Sequence, residues 1–596
     1  MGFFDYAVPD ALSAVARGDL VEVPLRHERV PGIVARVSLD AAEAKGLKEL
    51  AAISVPGYLS DAEVGWYEAV AADLVQAVPS VLDAGLPLPP KRKANETAAA
   101  LPKAPLTLPK EEAPAIRAAA DTLRNTGGAF VALPDLRRTA ALVAACLDAD
   151  PAARAALVAP NVRDALLLHA RLSRFSPGLM TGEETNNMRF RAWQTLRTGA
   201  SRLLVGTRVA ALVPPPPGSL LFVARASHDN HKNADQNPRV DARMLAAFSA
   251  ELLGCRLVAS GPAPRTEDVF RARAFHAPVP SAETVLADMG QERKGAVHPL
   301  VGTRLLEELE TCLAAGRRAV LAYNRTGTSR AVRCRGCGYP FPCPACKAVR
   351  SVGVSTLRCR SCKTEEPFPV SCPVCMGYDI DRTGHGADAV ASALAQAFPN
   401  ERVTTLEKGG SMDKAGRILI TTSHYAENVF DPFIPSDVGL VALLDADMAL
   451  RQPDVRSHER AVQEAAEWRG IAHACRARFL LQSDAPETFR AALEDPWADA
   501  ENDLAQRTAY AQPPAVRAAR VSCRQKPAAA ARAAAQKLSL AAKETVPDAE
   551  AAESPGAQPG AFAVTLRVPH ERWPALRAFL ATLDDAHIID TSPIFW

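Results

Sequence analysis

Eight cysteines fall between Cys334 and Cys375, in four pairs of CxxC spacing: Cys334/Cys337, Cys343/Cys346, Cys359/Cys362 and Cys372/Cys375. A CxxC turn sets two thiolates about a tetrahedral edge apart, and two such turns complete a four-sulfur zinc site. Eight ligands make two sites, so the spacing predicts two Zn²⁺ per chain. Sulfur would fill every position of each site and leave none for water, which makes these metals structural rather than catalytic. Spacing alone leaves open which pairs share a metal. Arg333, Arg335, Lys347, Arg358, Arg360 and Lys363 surround the pairs and would offset the negative charge of each centre. Gly336, Gly338, Pro344 and Pro373 supply turn residues. Clustering within one short stretch of a 596-residue chain argues against a disulfide framework. The other five cysteines (Cys146, Cys255, Cys312, Cys475, Cys523) sit in apolar or Ala-rich surroundings and read as small buried hydrophobes.

The elements around the cluster alternate between apolar runs and helical patterns. Residues 129–133, 156–159, 202–205 and 219–223 are short buried-strand candidates, separated by stretches long enough for crossover helices. The alternation recurs at 319–323, 417–420 and 439–444. It predicts α/β architecture with parallel sheets in two lobes, the cysteine cluster being inserted in the second. Before the first lobe, residues 1–90 read as a small β-containing domain. Strands are expected at 21–25 and 32–37, and a helix over 61–77 with Ser60 as its N-cap. Residues 91–112, introduced by Pro87-Leu88-Pro89-Pro90-Lys91-Arg92-Lys93, read as a linker. Residues 501–596 form a C-terminal domain whose 526–560 segment is rich in Ala, Lys and Pro. A net charge of +2 confines any nucleic-acid site to a local patch. No apolar run approaches the roughly 18–20 residues of a membrane span, and no secretory signal opens the chain, so a cytoplasmic protein without membrane contact is expected.

The cluster and its flanks, Ala322-Tyr323-Asn324-Arg325-Thr326-Gly327 and Arg382-Thr383-Gly384-His385-Gly386, resemble the primosomal protein N′ (PriA) family. The resemblance extends along nearly the whole chain. It is carried by Phe4-Asp5-Tyr6-Ala7-Val8-Pro9, Gly206-Thr207-Arg208-Val209-Ala210-Ala211-Leu212 and Pro238-Arg239-Val240-Asp241-Ala242-Arg243. Further along come Leu444-Asp445-Ala446-Asp447, Pro453-Asp454-Val455-Arg456 and Tyr510-Ala511-Gln512-Pro513-Pro514. It implies two RecA-like helicase lobes, a domain that captures the 3′ end of a nascent strand, and a two-zinc insertion. The chain would then divide into a 3′-end-binding domain (1–90), a linker (91–112), lobe 1 (113–300), lobe 2 (301–333 and 376–500), the zinc insertion (334–375) and a C-terminal α+β domain (501–596). The family arrangement implies that Cys334, Cys337, Cys372 and Cys375 share one zinc and that Cys343, Cys346, Cys359 and Cys362 share the other. Phe4, Asp5 and Lys48 would line a pocket for a terminal base and its 3′-hydroxyl. An aromatic ring can stack on a base, an acid can accept from a hydroxyl and a lysine can meet phosphate. The alternative for these three is a core Phe4 with surface Asp5 and Lys48. Lys91, Arg92 and Lys93 read better as solvated linker than as phosphate contacts, and Trp66 and Trp193 better as core than as stacking platforms. Expected partners are forked or junction DNA, other primosome proteins and single-stranded DNA-binding protein, at the nucleoid.

The catalytic motifs of the family do not follow. A phosphate-binding loop needs glycines and a lysine, whereas here the strand runs into Pro134-Asp135-Leu136-Arg137-Arg138-Thr139. Only Arg138 and Thr139 echo the usual Lys-Thr pair, as a degenerate nucleotide site. Where Asp-Glu should hold Mg²⁺, the chain has Ala224-Arg225-Ala226-Ser227. In Glu467-Trp468-Arg469-Gly470-Ile471-Ala472-His473-Ala474, Ile471 and Ala474 stand where arginines belong. Each loss alone would cost on the order of a hundredfold in rate. The expectation is therefore a degenerate helicase scaffold with no catalytic residues and no ATP/Mg²⁺ chemistry. An active 3′–5′ helicase with a divergent nucleotide site is the first alternative, and a zinc-ribbon interaction scaffold the second. Relative to the family, the chain opens almost directly at its Phe-Asp-Tyr motif, without the preceding strand. Too few residues separate position 90 from the first lobe to hold a winged-helix domain.

Overall fold

The computed structural model describes residues 4–38, 46–90, 103–275, 282–292, 300–323, 332–381, 387–406, 416–422 and 437–593, apart from isolated positions and short stretches inside these spans. Two compact units emerge. One takes residues 1–103, 150–223 and 229–258; the other takes 104–149, 224–228 and 259–596.

The first unit begins with an antiparallel three-stranded sheet, in which Leu20–Leu25 lies between Glu28–Ile33 and Ala52–Val55. The second strand lies at 28–33, not at the expected 32–37. Leu25 pairs with Glu28, so only Arg26 and His27 make the turn, with Arg26 left-handed at φ 55°. Val15, Val21 and Leu50 form the small core beneath the sheet. The helix Asp61–Asp73 starts where Ser60 predicts. The Ser60 hydroxyl accepts from the Glu63 N–H, and the Glu63 carboxylate accepts from the Ser60 N–H, completing a capping box.

This helix is welded to the α/β part of the same unit. Trp66 Nε1 donates to Ser249 Oγ at 3.0 Å and the Tyr67 hydroxyl donates to the Leu212 carbonyl at 3.0 Å. Both rings are about 1% exposed, and each buried ring contributes on the order of 3 kcal/mol. Trp193, fully buried, meets Tyr58 edge-on at 5.8 Å. A Cβ on Gly85 would lie 2.6 Å from the Leu212 carbonyl oxygen, so only glycine permits that approach. The α/β part itself has parallel strands Leu220–Ala224, Ala155–Val158, Leu203–Gly206 and Gly178–Met180 in that order. Their residues are almost all buried, as expected for strands covered on both faces.

In the second unit, Gly128–Ala132 pairs in parallel with Arg273–Phe275. A six-stranded sheet follows, ordered Thr284–Asp288, Arg478–Ser483, Val438–Leu443, Arg318–Ala322, Ile418–Thr421 and Val403–Thr405, with every neighbouring pair parallel. One apolar cluster, containing Trp468, Phe479 and Phe489, covers one face. Another, containing Leu305, Leu309, Val390 and Leu394, covers the other. The cysteine region is inserted after Arg318–Ala322. Its base is closed by Arg333–Cys334 pairing with Ile380–Asp381, and its middle is a three-stranded antiparallel sheet. The C-terminal part is a four-stranded antiparallel sheet with helices Ala528–Thr545 and Trp573–Leu580. The mixed α/β class, with parallel sheets, a cysteine-rich insertion and an α+β C-terminus, agrees with expectation. Cys146, Cys255, Cys312, Cys475 and Cys523 are all buried.

Candidate functional site

The CxxC turns bring their thiols together in two groups. Cys334, Cys337, Cys372 and Cys375 have all four sulfurs within 4.8 Å of one another, with Cys334–Cys375 at 3.4 Å and Cys337–Cys372 at 3.6 Å. Cys343, Cys359 and Cys362 form the second group, with Cys343–Cys362 at 3.5 Å. Cys346 lies outside the described residues. A Zn–S bond of about 2.3 Å gives a tetrahedral edge of about 3.8 Å, so both groups are near the size a zinc ion needs. Two backbone strands fix them. Cys334 sits on the strand that closes the base of the insertion, and Cys359 ends Thr356–Cys359. Burial pushes the Cys362 thiol up, but hydrogen bonds from Thr364 and the neighbouring thiols bring it down to about 6. Burial also raises Cys372, while the N–H groups of Cys375 and Val374 and the adjacent thiols lower it to about 7. Two thiols of the first group shift the other way: the Tyr339 N–H lowers Cys337 but its neighbouring thiols raise it, to about 12, and the Gly377 N–H lowers Cys375 while the Cys334 thiol raises it, with a net rise. Both groups could hold a metal ion, and all-sulfur donors suit zinc.

The residues that echo a phosphate-binding loop, Arg138 and Thr139, lie within the second unit. Asp135 precedes the helix Leu136–Ala149, and its Oδ1 accepts from the Arg138 N–H at 3.0 Å. The Arg138 guanidinium is bonded to two carboxylates. Its Nε donates to Glu112 Oε2 at 2.7 Å, its Nη2 donates to Glu112 Oε1 at 2.6 Å, and its Nη1 donates to Asp135. The side chains of this trio are only 4–6% exposed. Burial opposes the charge on Arg138, but the bonds to Glu112 and Asp135 outweigh it and hold the guanidinium above its ordinary pKa. The Thr139 hydroxyl meets Ser260 Oγ at 3.2 Å. The two residues that echo a phosphate-binding loop are thus engaged by the protein itself.

The stretch 224–227, where the resemblance places Asp-Glu, is likewise engaged by the protein itself. Ala224 is fully buried, and Arg225 adopts a left-handed backbone at φ 47°, a conformation that costs a non-glycine residue about 1–2 kcal/mol. The bond from the Ala226 N–H to the Ser260 carbonyl at 2.9 Å helps hold it. Arg225 Nε reaches Glu467 Oε2 at 3.2 Å, and Ser227 Oγ lies 3.4 Å from Glu467 Oε1. Glu467 belongs to the helix Ser457–Cys475, whose Gly470 faces the Pro134 carbonyl so closely that a Cβ there would lie 2.1 Å from the oxygen. Arg469 donates to the Leu493 carbonyl at 2.7 Å. Ile471, partly buried, packs against the sheet core. Glu112, Glu467 and Gly470 were not singled out by sequence reasoning. Glu467 lies 242 residues from Arg225, so no local pattern announces the pair.

The N-terminal residues come together through the backbone. The Ala7 N–H donates to the Lys48 carbonyl and the Leu50 N–H to the Ala7 carbonyl, each at 2.9 Å. The Phe4–Ala7 segment therefore runs beside Lys48–Leu50. Phe4 is 58% exposed, so it is not the core residue of the alternative reading. Asp5 and Lys48 are exposed as well. Lys91, Arg92, Lys93 and the motif residues at 324–327 and 382–386 lie outside the described residues.

Fold and site together define an α/β chain with parallel sheets and a cysteine-rich insertion that gathers its thiols in two groups. The family model for the 3′ DNA-binding domain of PriA matches residues 1–87. The replication restart protein PriA of Bacillus subtilis is 29% identical over 369 residues, covering 56% of this chain and 44% of that protein. That of Synechocystis is 28% identical, covering 49% and 38%, and that of Treponema pallidum is 25% identical, covering 57% and 55%. The chain spans about half the length of these curated relatives. The domain match and the relatives together support membership of the PriA family. Among solved structures, Saccharomyces cerevisiae Dbp5 bound to RNA and ADP BeF3 is 9% identical, with a TM-score of 0.31, covering 66% of this chain and 93% of that one. The helicase MrfA bound to DNA is 8% identical, with a TM-score of 0.34, covering 67% and 57%. Both likenesses are remote.

Proposed function

We propose that this chain is a DNA-binding replication restart protein that recognises forked DNA through a nascent 3′ end and helps to reassemble the primosome without ATP-driven unwinding. The observation that carries the second half is the state of Arg138. The one basic side chain that echoes a phosphate-binding lysine is spent on Glu112 and Asp135. The N-terminal family match supports the first half. Phe4 would stack on the terminal base, Asp5 would accept from the 3′-hydroxyl and Lys48 would meet phosphate. Two zinc ions, one on Cys334, Cys337, Cys372 and Cys375 and one on Cys343, Cys346, Cys359 and Cys362, would hold the insertion in shape. In this reading residues 113–300 and 301–500, less the insertion at 334–375, are scaffold lobes. Partners would be junction DNA, primosome proteins and single-stranded DNA-binding protein, at the nucleoid.

The test is ATP hydrolysis by the purified chain, with and without a model fork carrying a nascent 3′ end, with fork binding measured alongside. Tight binding without DNA-stimulated turnover supports the proposal, and fork-dependent turnover refutes it. A second reading, a protein-interaction role for the cysteine region, is favoured by Val370, Val374, Met376 and Tyr378, which are 63–81% exposed on one short stretch.

A further inference from the structure

On the helix Ser457–Cys475, Glu467, Gly470 and His473 recur every third residue and so share one face. Each meets a different part of the nucleotide corner. Glu467 takes Arg225 at 3.2 Å, Gly470 lies against the Pro134 carbonyl, and His473 Nε2 lies 3.8 Å from Glu112 Oε1. Two arginines of the corner meet carboxylates: Arg138, which echoes a phosphate-binding lysine, those of Glu112 and Asp135, and Arg225, which stands where an acid would hold Mg²⁺, that of Glu467. The left-handed backbone at Arg225 aims its side chain at that helix rather than along the strand.

We infer that this helix is the permanent occupant of the vestigial phosphate corner: its 467–473 face fills the room, and the chain's own carboxylates supply the negative charge, that a nucleotide would otherwise bring. The corner therefore has one state, set by the protein and indifferent to ATP. The inference deepens the proposed function, because it rests on reading 134–139 and 224–227 as a former nucleotide site. It does not depend on whether the chain binds DNA.

Gly470 is the contact that tests it. Alanine is intrinsically the better helix residue, so propensity alone would tighten the helix in Gly470→Ala, whereas the added Cβ would drive it off Pro134. Hydrogen exchange is followed in the full-length, zinc-loaded chain, in peptides covering 134–142 and 460–475, with and without Mg-ATP. In the unaltered chain both peptides should exchange at the same rate in either condition. Gly470→Ala should speed both by about tenfold or more, leaving the cysteine region unchanged. A second arm uses charge. Glu467→Arg should speed exchange in the same peptides, and adding Arg225→Glu should restore it. ATP-induced protection in the unaltered chain, unchanged exchange in Gly470→Ala, or no rescue in the double variant would each overturn the inference. If Gly470→Ala does not fold, the rescue arm decides alone. A chain that behaves as expected here yet ignores forked DNA would sink the DNA-binding proposal and leave this one standing.

Discussion

Replacing Arg138 by methionine keeps most of the side-chain volume but removes the charge that two buried carboxylates share. Glu112 loses both of its bonds to the guanidinium, at 2.6 and 2.7 Å, with its side chain only 6% exposed. Asp135 loses its bond to Nη1 but keeps the backbone N–H of residue 138 at 3.0 Å. Removing one partner of a buried ion pair costs about 3–5 kcal/mol, because the other charge is left uncompensated. Since Asp135 retains a donor, the lower end applies, about 3 kcal/mol. At about 1.4 kcal/mol per factor of ten, protection of the helix Ala113–Leu123 and of residues 136–142 against hydrogen exchange should fall by about two orders of magnitude. Neutralising the acid as well, in Arg138→Met with Glu112→Met, should recover most of the loss, since well-packed apolar replacement of a buried pair is often neutral. The opposite pattern would refute the reasoning: a less than roughly fivefold change in exchange, together with measurable binding of a fluorescent ATP analogue that disappears in the variant. Arg138 would then be a phosphate ligand, and its pairing with Glu112 incidental.

Three further outcomes are expected. Metal analysis of the purified chain should find about two zinc per chain, falling to about one in Cys359→Ser; iron, or no metal, would rule out the zinc assignment. Phe4→Ala should weaken binding to a fork with a nascent 3′ end by roughly 5- to 150-fold, the worth of one base–aromatic stack at about 1–3 kcal/mol. Its thermal unfolding should be unchanged, because the ring is exposed. His458 is held above its ordinary pKa of 6.5 by its hydrogen bond to Asp499, at 3.0 Å, with burial opposing. Its contribution to stability is therefore complete below that ordinary value and is lost as pH rises through the raised one. Thermal melts across neutral pH should fall with rising pH, and less steeply in Asp499→Asn; equal slopes would show that the pair does not matter.

Features encoded by neighbouring residues were legible in the sequence. Ser60 marks a helix start, and the helix begins there, with Glu63 completing a capping box. The apolar runs at 129–133, 156–159 and 439–444 fall within a residue of the strands Gly128–Ala132, Ala155–Val158 and Val438–Leu443. The CxxC pairs announce their chemistry by spacing. The misplaced strand at 32–37 has a physical cause. The hairpin turns on Arg26 and His27 with Arg26 left-handed, and neither residue belongs to the Gly, Asn or Asp types that normally mark such a turn. Glu112 was unreadable for a different reason. It stands at the end of a Pro-rich, linker-like stretch, and its partner lies 26 residues on, beyond any local pattern. Gly470 looks like an ordinary helix defect until the Pro134 carbonyl is placed against it.

The pairing of positions 225 and 467 also bears on reversal. With the two side chains 3.2 Å apart, placing an acid at 225 alone would set two carboxylates face to face. That step crosses a like-charge juxtaposition that destabilises the present fold, in a region whose 134–139 loop has no glycine. An acid at 225 is accommodated only together with a change at 467. The pair thus works as an evolutionary ratchet, and descendants of this chain should vary these two positions together or not at all.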